Sequence, residues 1–170
     1  MRSFRDSDAA GLALLANNRR VWLQLRDRFP HPYTIDDARR FITFALGEIP
    51  ETMFAVTVND VSIGSIGVVL HDDVERCSAE VGYWLGEPYW SRGIATRALT
   101  GFTRFAFAAY ELERLYAVPF ASNSASCRVL QKAGYRLEGR MRRSAIKDGT
   151  VHDQCLYAIL RGDGPTPKTS

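Results

Sequence analysis

The sequence predicts an α/β (α+β) fold, with a central mixed, mostly antiparallel twisted sheet of six to seven strands flanked by helices. Three observations carry this. Residues 52–85 hold three consecutive strand-like runs broken by polar turns. Residues 77–118 then read strand, helix, strand, a step that closes as a right-handed parallel crossover. Residues 135–160 read as a hairpin around Lys147-Asp148-Gly149. Three helical stretches precede the sheet and no internal repeat interrupts it.

Ser7 or Asp8 can cap a helix over about 8–17, whose apolar positions are Ala9, Leu12, Ala13, Leu14, Leu15 and Ala16. Asn17-Asn18 breaks it, and Val21 to Arg26 is a second short helical piece. Phe29-Pro30-His31-Pro32-Tyr33 is a loop, because its prolines forbid helix. Thr34, with Asp37 three residues on, is a capping-box variant. The helix it opens, about 35–48, places Ile35, Ala38, Phe41, Ile42, Ala45 and Leu46 on a core-facing stripe.

Pro50 closes that helix. Thr52–Val58 and Val61–Leu70 pair across Asn59-Asp60, and Gly64 and Gly67 mark a bulge or a close backbone approach. Cys77–Leu85 is the third strand, ended by Pro88. A helix from about Ile94 to Ala109 turns Leu99, Phe102, Phe105, Ala106 and Ala109 inward. Leu115–Val118 is a short apolar strand of the buried kind, ended by Pro119. Ser122 or Asn123 caps a helix to about Ala133, with Gly134 beyond its end. Tyr135–Ile146 and Val151–Leu160 form the hairpin. Residues 1–161 are expected to be one domain and 162–170 a disordered Gly/Pro/Ser/Thr tail.

Composition narrows the function. The 170 residues are 46% apolar and 24% charged, ordinary for a globular chain. A net charge of +3 suits an anionic small molecule but not the dense basic stripe of a nucleic-acid binder. Cys77, Cys127 and Cys155 are odd in number, far apart and without CxxC, so free thiols are expected, and no disulfide framework or metal site. No run approaches a membrane span and the charged start lacks a leader, so a soluble cytoplasmic protein is expected, with no membrane partner, as monomer or homodimer.

The stretch Glu80-Val81-Gly82-Tyr83-Trp84-Leu85-Gly86-Glu87-Pro88-Tyr89-Trp90-Ser91-Arg92-Gly93-Ile94-Ala95-Thr96-Arg97 organises the chain. A strand hands over to a helix through a turn bearing Arg92 and Gly93. The first N–H groups of that helix lack intrahelical partners, and its dipole adds partial positive charge. The place therefore reads as a pyrophosphate cradle for a nucleotide-like cofactor. A packing glycine is the plain alternative, weakened by small Ala95, by Thr96 and by cationic Arg92. Neither a Walker A loop nor GxGxxG is present.

This stretch resembles motif A of the GNAT N-acetyltransferase superfamily, Q/R-x-x-G-x-G/A. Gly93 and Ala95 match its last two positions, and Trp90 stands where Gln or Arg is usual. With Tyr83-Trp84-Leu85 and Tyr89-Trp90 around it, that departure resembles the RimJ/RimL-like branch, which acetylates protein N-terminal amines and has relatives acting on small amines. The similarity extends to Asn17-Asn18, Phe29–Thr34, Asn123–Ser126 and Gly134-Tyr135, and leaves little of the family's first strand before Phe4.

The resemblance implies acetyl-CoA as donor and a primary amine or protein N-terminus as acceptor. Arg92, Gly93, Ile94, Ala95, Thr96 and Arg97 would bind its pyrophosphate. Tyr83, Trp84 and Leu85 would run beside pantetheine, in a slot where residues 81–85 splay from 115–118. A backbone N–H there would polarise the thioester carbonyl. Asn123 would bond the cofactor amides, where simple N-capping is the alternative. Many members place a Tyr seven residues after this Asn. Leu130 stands there, so Ser126 would protonate the leaving thiolate. Lys132 could reach phosphate or simply be solvated.

Glu80, a carboxylate among apolar strand residues, needs a reason for its place. It is either ion-paired, with an arginine such as Arg104 or Arg140, or a general base, acting directly or through water, for direct attack by the amine on the thioester. Trp22, Phe29, His31 and Tyr33 line the loop that the resemblance puts over the amine site, or else pack between helix and loop. His152 and Asp153 form a further candidate pair. A non-catalytic acyl-CoA-binding sensor or structural module of the same fold is the alternative function.

Overall fold

The computed structural model describes residues 1–163; residues 164–170 of the expected tail lie outside the described residues. Helices α1 (Ala9–Ala16), α2 (Arg19–Trp22) and α3 (Ile35–Gly47) precede strands β1 (Met53–Val58), β2 (Val61–Leu70) and β3 (Ser78–Leu85). Helix α4 (Ile94–Ala109), strand β4 (Arg114–Ala117), helix α5 (Ser124–Lys132) and strands β5 (Arg136–Lys147) and β6 (Thr150–Leu160) follow. The sheet order is β1-β2-β3-β4-β6-β5, with β3 and β4 parallel and the β1–β2, β4–β6 and β5–β6 pairs antiparallel. The predicted mixed sheet flanked by helices is present, with six strands. Among the described residues no helix is long and apolar enough to cross a membrane.

Two compact units can be distinguished: Met1–Val68 with Gly82–Ala98, and Val69–Val81 with the chain from Leu99 onward. In the first unit α1 packs on α3, and Leu12, Ala16, Ala38, Ile42, Ala45 and Ala55 form the centre of its core. Thr34 and Asp37 form the expected capping box. The predicted stripe of α3 is too wide: Ala38, Ile42 and Ala45 are buried, whereas Ile35 and Leu46 at its edges are exposed. Asn59 and Asp60 both adopt positive φ (50° and 64°), the backbone of a tight hairpin turn between β1 and β2.

The start of the chain differs from expectation. Asp8 caps no α-helix through its side chain; a 3₁₀ turn over Asp6–Asp8 precedes α1. Its carboxylate instead accepts the Arg5 N–H at 2.9 Å and two bonds at 2.8 Å from the Arg2 guanidinium. Arg2 also bridges to Ala55 through its backbone, a one-residue extension of the sheet ahead of Phe4.

This network predicts an acid-sensitive contribution to stability. The Arg2 guanidinium holds the buried Asp8 carboxyl below the usual range. A folded value below the unfolded one, about 3.9, means the contribution is full above that value and fades as pH falls through the lower folded value. Asp8→Asn is expected to cost about 2 kcal/mol near neutral pH. In thermal melts across a pH series, the gap to wild type closes at acid pH.

In the second unit Leu99, Phe102 and Ala106 of α4, Leu115 and Ala117 of β4, Leu130 of α5 and Tyr157 and Ile159 of β6 are buried. Phe105 and Ala109, expected inward, are exposed, and Thr103 takes a buried place instead. It can do so because its hydroxyl meets the Leu99 carbonyl (2.8 Å) and the Tyr135 hydroxyl (2.9 Å). The predicted hairpin turns at Asp148-Gly149, but β5 carries register shifts at Leu137/Gly139 and Met141/Ala145. Asp153 stitches the second shift by accepting the Arg143 N–H (2.8 Å) and Arg140 Nε (2.9 Å).

Candidate active site

In the first unit the candidate residues centre on the turn between β3 and α4. After Leu85, a 3₁₀ turn spans Glu87–Tyr89, and Ser91 and Gly93 both take left-handed backbone conformations (φ 60° and 70°). The reversal delivers the chain into α4 at Ile94, whose first N–H groups have no partner within the helix. Arg92, Gly93 and Arg97 are exposed, and Ile94, Ala95 and Thr96 are half-buried. Arg92 lies over the Tyr89 ring, 5.7 Å from its centroid. A side chain added at Gly93 would point into open space, 3.6 Å from the Arg97 guanidinium. An exposed helix start flanked by two guanidinium groups is the chemistry that a pyrophosphate requires.

Trp90, the departure from the motif, has a structural part. Its indole N–H donates to the Leu85 carbonyl at 2.7 Å, tying the turn back to the strand end. The Arg20 guanidinium covers its ring (5.5 Å) and pairs with Glu87, which also accepts Asn18 Nδ2 at 2.7 Å. Asn18 caps α2 by accepting the Arg20 and Val21 N–H groups. Sequence reasoning missed the Asn18–Arg20–Glu87 network. The one local signal is the Asn17-Asn18 pair, a helix breaker within the family resemblance that gives no hint of a partner at Glu87.

The aromatic candidates form two groups within the first unit. Phe29 meets Trp84 edge to face (5.4 Å, 73°) and lies 4.7 Å from Tyr33. Tyr33 is buried, and desolvation pushes its phenol up to about 12. Trp22 and exposed His31 stack separately at 5.5 Å. Tyr83 is half-buried and Leu85 buried.

The second unit holds the remaining candidate residues. The parallel β3–β4 ladder has three rungs: Ser78↔Arg114, Ala79↔Leu115 and Glu80↔Tyr116. β3 runs on to Leu85 beyond the last of them. Alternation puts Ala79, Leu115, Ala117, Tyr157 and Ile159 on one face, with Glu80, Tyr116 and Ala158 on the other. Helix α5 lies over the first face, since Gln131 Nε2 donates to the Tyr157 hydroxyl at 3.2 Å. Glu80, half-buried, thus belongs to the face opposite the helix that carries Ser126. Arg140, one proposed partner of Glu80, is paired with Asp153.

Asn123 caps α5, its side-chain oxygen accepting the Ser126 N–H at 3.0 Å. Ser126 is half-buried one turn into the helix, and Lys132 is exposed in its last turn. Burial pushes the Cys127 thiol up, against a lowering hydrogen bond from Tyr157. A thiol shifted in this direction is a weaker nucleophile candidate. A cavity of about 310 Å³ is lined by Ala121, Ser122, Arg140, Val151, His152 and Asp153, with His152 against Phe120 at 5.1 Å.

Comparison with known proteins agrees with this architecture. The family described as "Acetyltransferase (GNAT) domain" matches residues 1–136. The uncharacterized N-acetyltransferase YoaA of Bacillus subtilis (strain 168) is 34% identical over 99 residues, 58% of this chain and 55% of that protein. The ribosomal-protein-serine acetyltransferase of Escherichia coli (strain K12) is 30% identical over 97 residues, 56% and 54% of the two chains. The match thus spans about half the length of these curated relatives. The structure of RimJ from Mycobacterium smegmatis, in complex with CoA-disulfide, superposes with a TM-score of 0.83 at 25% identity, covering 97% of this chain and 83% of that one.

Proposed function

Because the chain belongs to the GNAT acetyltransferase family, we propose that it transfers an acetyl group from acetyl-CoA to a primary amine, in the manner of the RimJ/RimL-like enzymes. The acceptor is a protein N-terminal α-amine or a small amine. Residues 1–161 act as one acetyltransferase domain. The free thiols suit a reducing cytoplasm.

The observation that carries this reading is the turn from Leu85 to Ile94, with left-handed Ser91 and Gly93 ahead of a 16-residue helix. Arg92 to Arg97 hold the pyrophosphate through backbone N–H groups and the two guanidinium groups. Tyr83, Trp84 and Leu85 run beside pantetheine, and Asn123 and Lys132 complete the cofactor contacts. Trp22, Phe29, His31 and Tyr33 belong to the acceptor side.

When bound, acetyl-CoA supplies a thioester whose carbonyl carbon accepts the amine and whose sulfur departs as a thiol. Glu80 takes a proton from the amine. Ser126 gives a proton to the departing sulfur. No covalent intermediate on the protein is needed, in keeping with the upward push that burial gives the Cys127 thiol.

Ser126→Ala is expected to lower turnover roughly 10²-fold while leaving acetyl-CoA affinity nearly intact, the mark of a lost general acid. Equal loss of both would show that the acid lies elsewhere. The function itself is tested by thiol release from acetyl-CoA across a panel of small amines and peptides. Amine-dependent release supports the transferase; saturable binding without release with any acceptor favours an acyl-CoA sensor built on the same fold.

A further inference from the structure

The last rung of the parallel ladder pairs Glu80 with Tyr116, side chains on one face. The Tyr116 hydroxyl is hydrogen-bonded to His71 Nε2 at 2.9 Å, and the two rings stack with an interplanar angle of 8°. Arg114 lies over the Tyr116 ring, 5.9 Å from its centroid, and is itself held by Glu138 (2.7 Å). His71 follows β2 directly, so residues from three neighbouring strand ends supply this cluster. His71 and Tyr116 are both half-buried.

A stacked, hydrogen-bonded Tyr–His pair in register with a carboxylate is a ready path for one proton. The transferase reading needs such a path, because an acceptor amine is mostly protonated at neutral pH and must lose a proton before or during attack. Resting on that reading, we propose that Tyr116 is a further catalytic residue and His71 its positioning partner. In this step the Tyr116 oxygen takes a proton from the acceptor nitrogen as its own proton passes to His71 Nε2. Neutral amine and imidazolium result. The amine lone pair forms the new N–C bond as the second nitrogen proton passes to Glu80, the C–S bond breaks, the sulfur takes the Ser126 proton, and the Glu80 proton returns to Ser126 through water. His71 returns its proton to water. Before attack the Glu80 carboxylate also holds the incoming ammonium beside Tyr116 by charge. Arg114, clamped by Glu138, fixes the Tyr116 ring.

The test compares wild type, Tyr116→Phe and His71→Ala in the thiol-release assay, with acetyl-CoA affinity and circular dichroism measured alongside. Tyr116→Phe keeps the ring and is expected to lower kcat roughly 10²-fold with acetyl-CoA affinity unchanged. His71→Ala is expected to lose a similar factor and to recover several-fold when millimolar imidazole is added, which a merely structural histidine would not do. Active wild type with Tyr116→Phe of near-normal kcat overturns the relay alone, as does a His71→Ala loss that imidazole leaves untouched. Wild type that binds acetyl-CoA but releases no thiol with any acceptor overturns the transferase reading, and the relay with it.

Discussion

Gly93→Trp is expected to abolish acetyl-CoA binding while the protein still folds. Gly93 stands at φ 70°, where an L-residue pays roughly 1–2 kcal/mol. That cost is small against the second effect. An indole at Gly93 would occupy the open mouth of the turn, beside Arg97 and in front of the first N–H groups of α4. The backbone could no longer be approached by a diphosphate. A loss of at least about 100-fold in affinity, roughly 2.7 kcal/mol, is expected. Gly93→Ala separates the two contributions: it carries the backbone strain but leaves the mouth open, so it should melt early yet bind. Titration calorimetry and thermal melts of both variants check this. Full affinity in Gly93→Trp would place the pyrophosphate elsewhere.

The largest expected loss of stability comes from Gly64→Ala. Gly64 lies in β2 where the backbone of β3 comes closest, and a methyl group there would stand 2.1 Å from the Trp84 carbonyl oxygen and 2.8 Å from Leu85 Cα. Neither obstacle is a flexible side-chain tip, so the strands must move apart. Overpacking of this kind costs about 3 kcal/mol, which lowers Tm by roughly 6–12 °C in a domain of this size. The displaced segment, Trp84–Leu85, also receives the Trp90 indole, so acetyl-CoA affinity should weaken as well. Gly11→Ala is the matched control. Gly11 lies within α1 with nothing near its missing methyl, and alanine there should stabilise by up to about 1 kcal/mol. Equal melting of the two variants would remove the close-approach account of Gly64.

What could be read from the sequence was what local rules decide. Thr34 and Asp37 cap α3, and Asn59-Asp60 turns β1 into β2, because each depends on residues within a few positions of one another. Gly64 is legible as a bulge or a close approach, and both are present: the β1–β2 register shifts beside it and the Trp84–Leu85 backbone lies against it, a partner the sequence does not name. The errors lie where distant residues decide. Asp8 is a preferred cap residue, but Arg2 and the Arg5 N–H hold its carboxylate. Ile35, Leu46 and Phe105 fit the helical period, yet the surface each helix meets is narrower than the period allows. The site follows the same division. The strand–turn–helix around Gly93 is a local pattern and was visible. The Asn18–Arg20–Glu87 brace joins residues almost 70 positions apart (|i−j| of 69 and 67), and the His71–Tyr116 pair joins residues 45 apart. No periodicity marks either.

Use of acetyl-CoA by this chain is open to a single experiment, isothermal titration with acetyl-CoA. Saturable one-site binding that Gly93→Trp removes and Ser126→Ala leaves nearly intact is the predicted result. No binding at millimolar acetyl-CoA would contradict it.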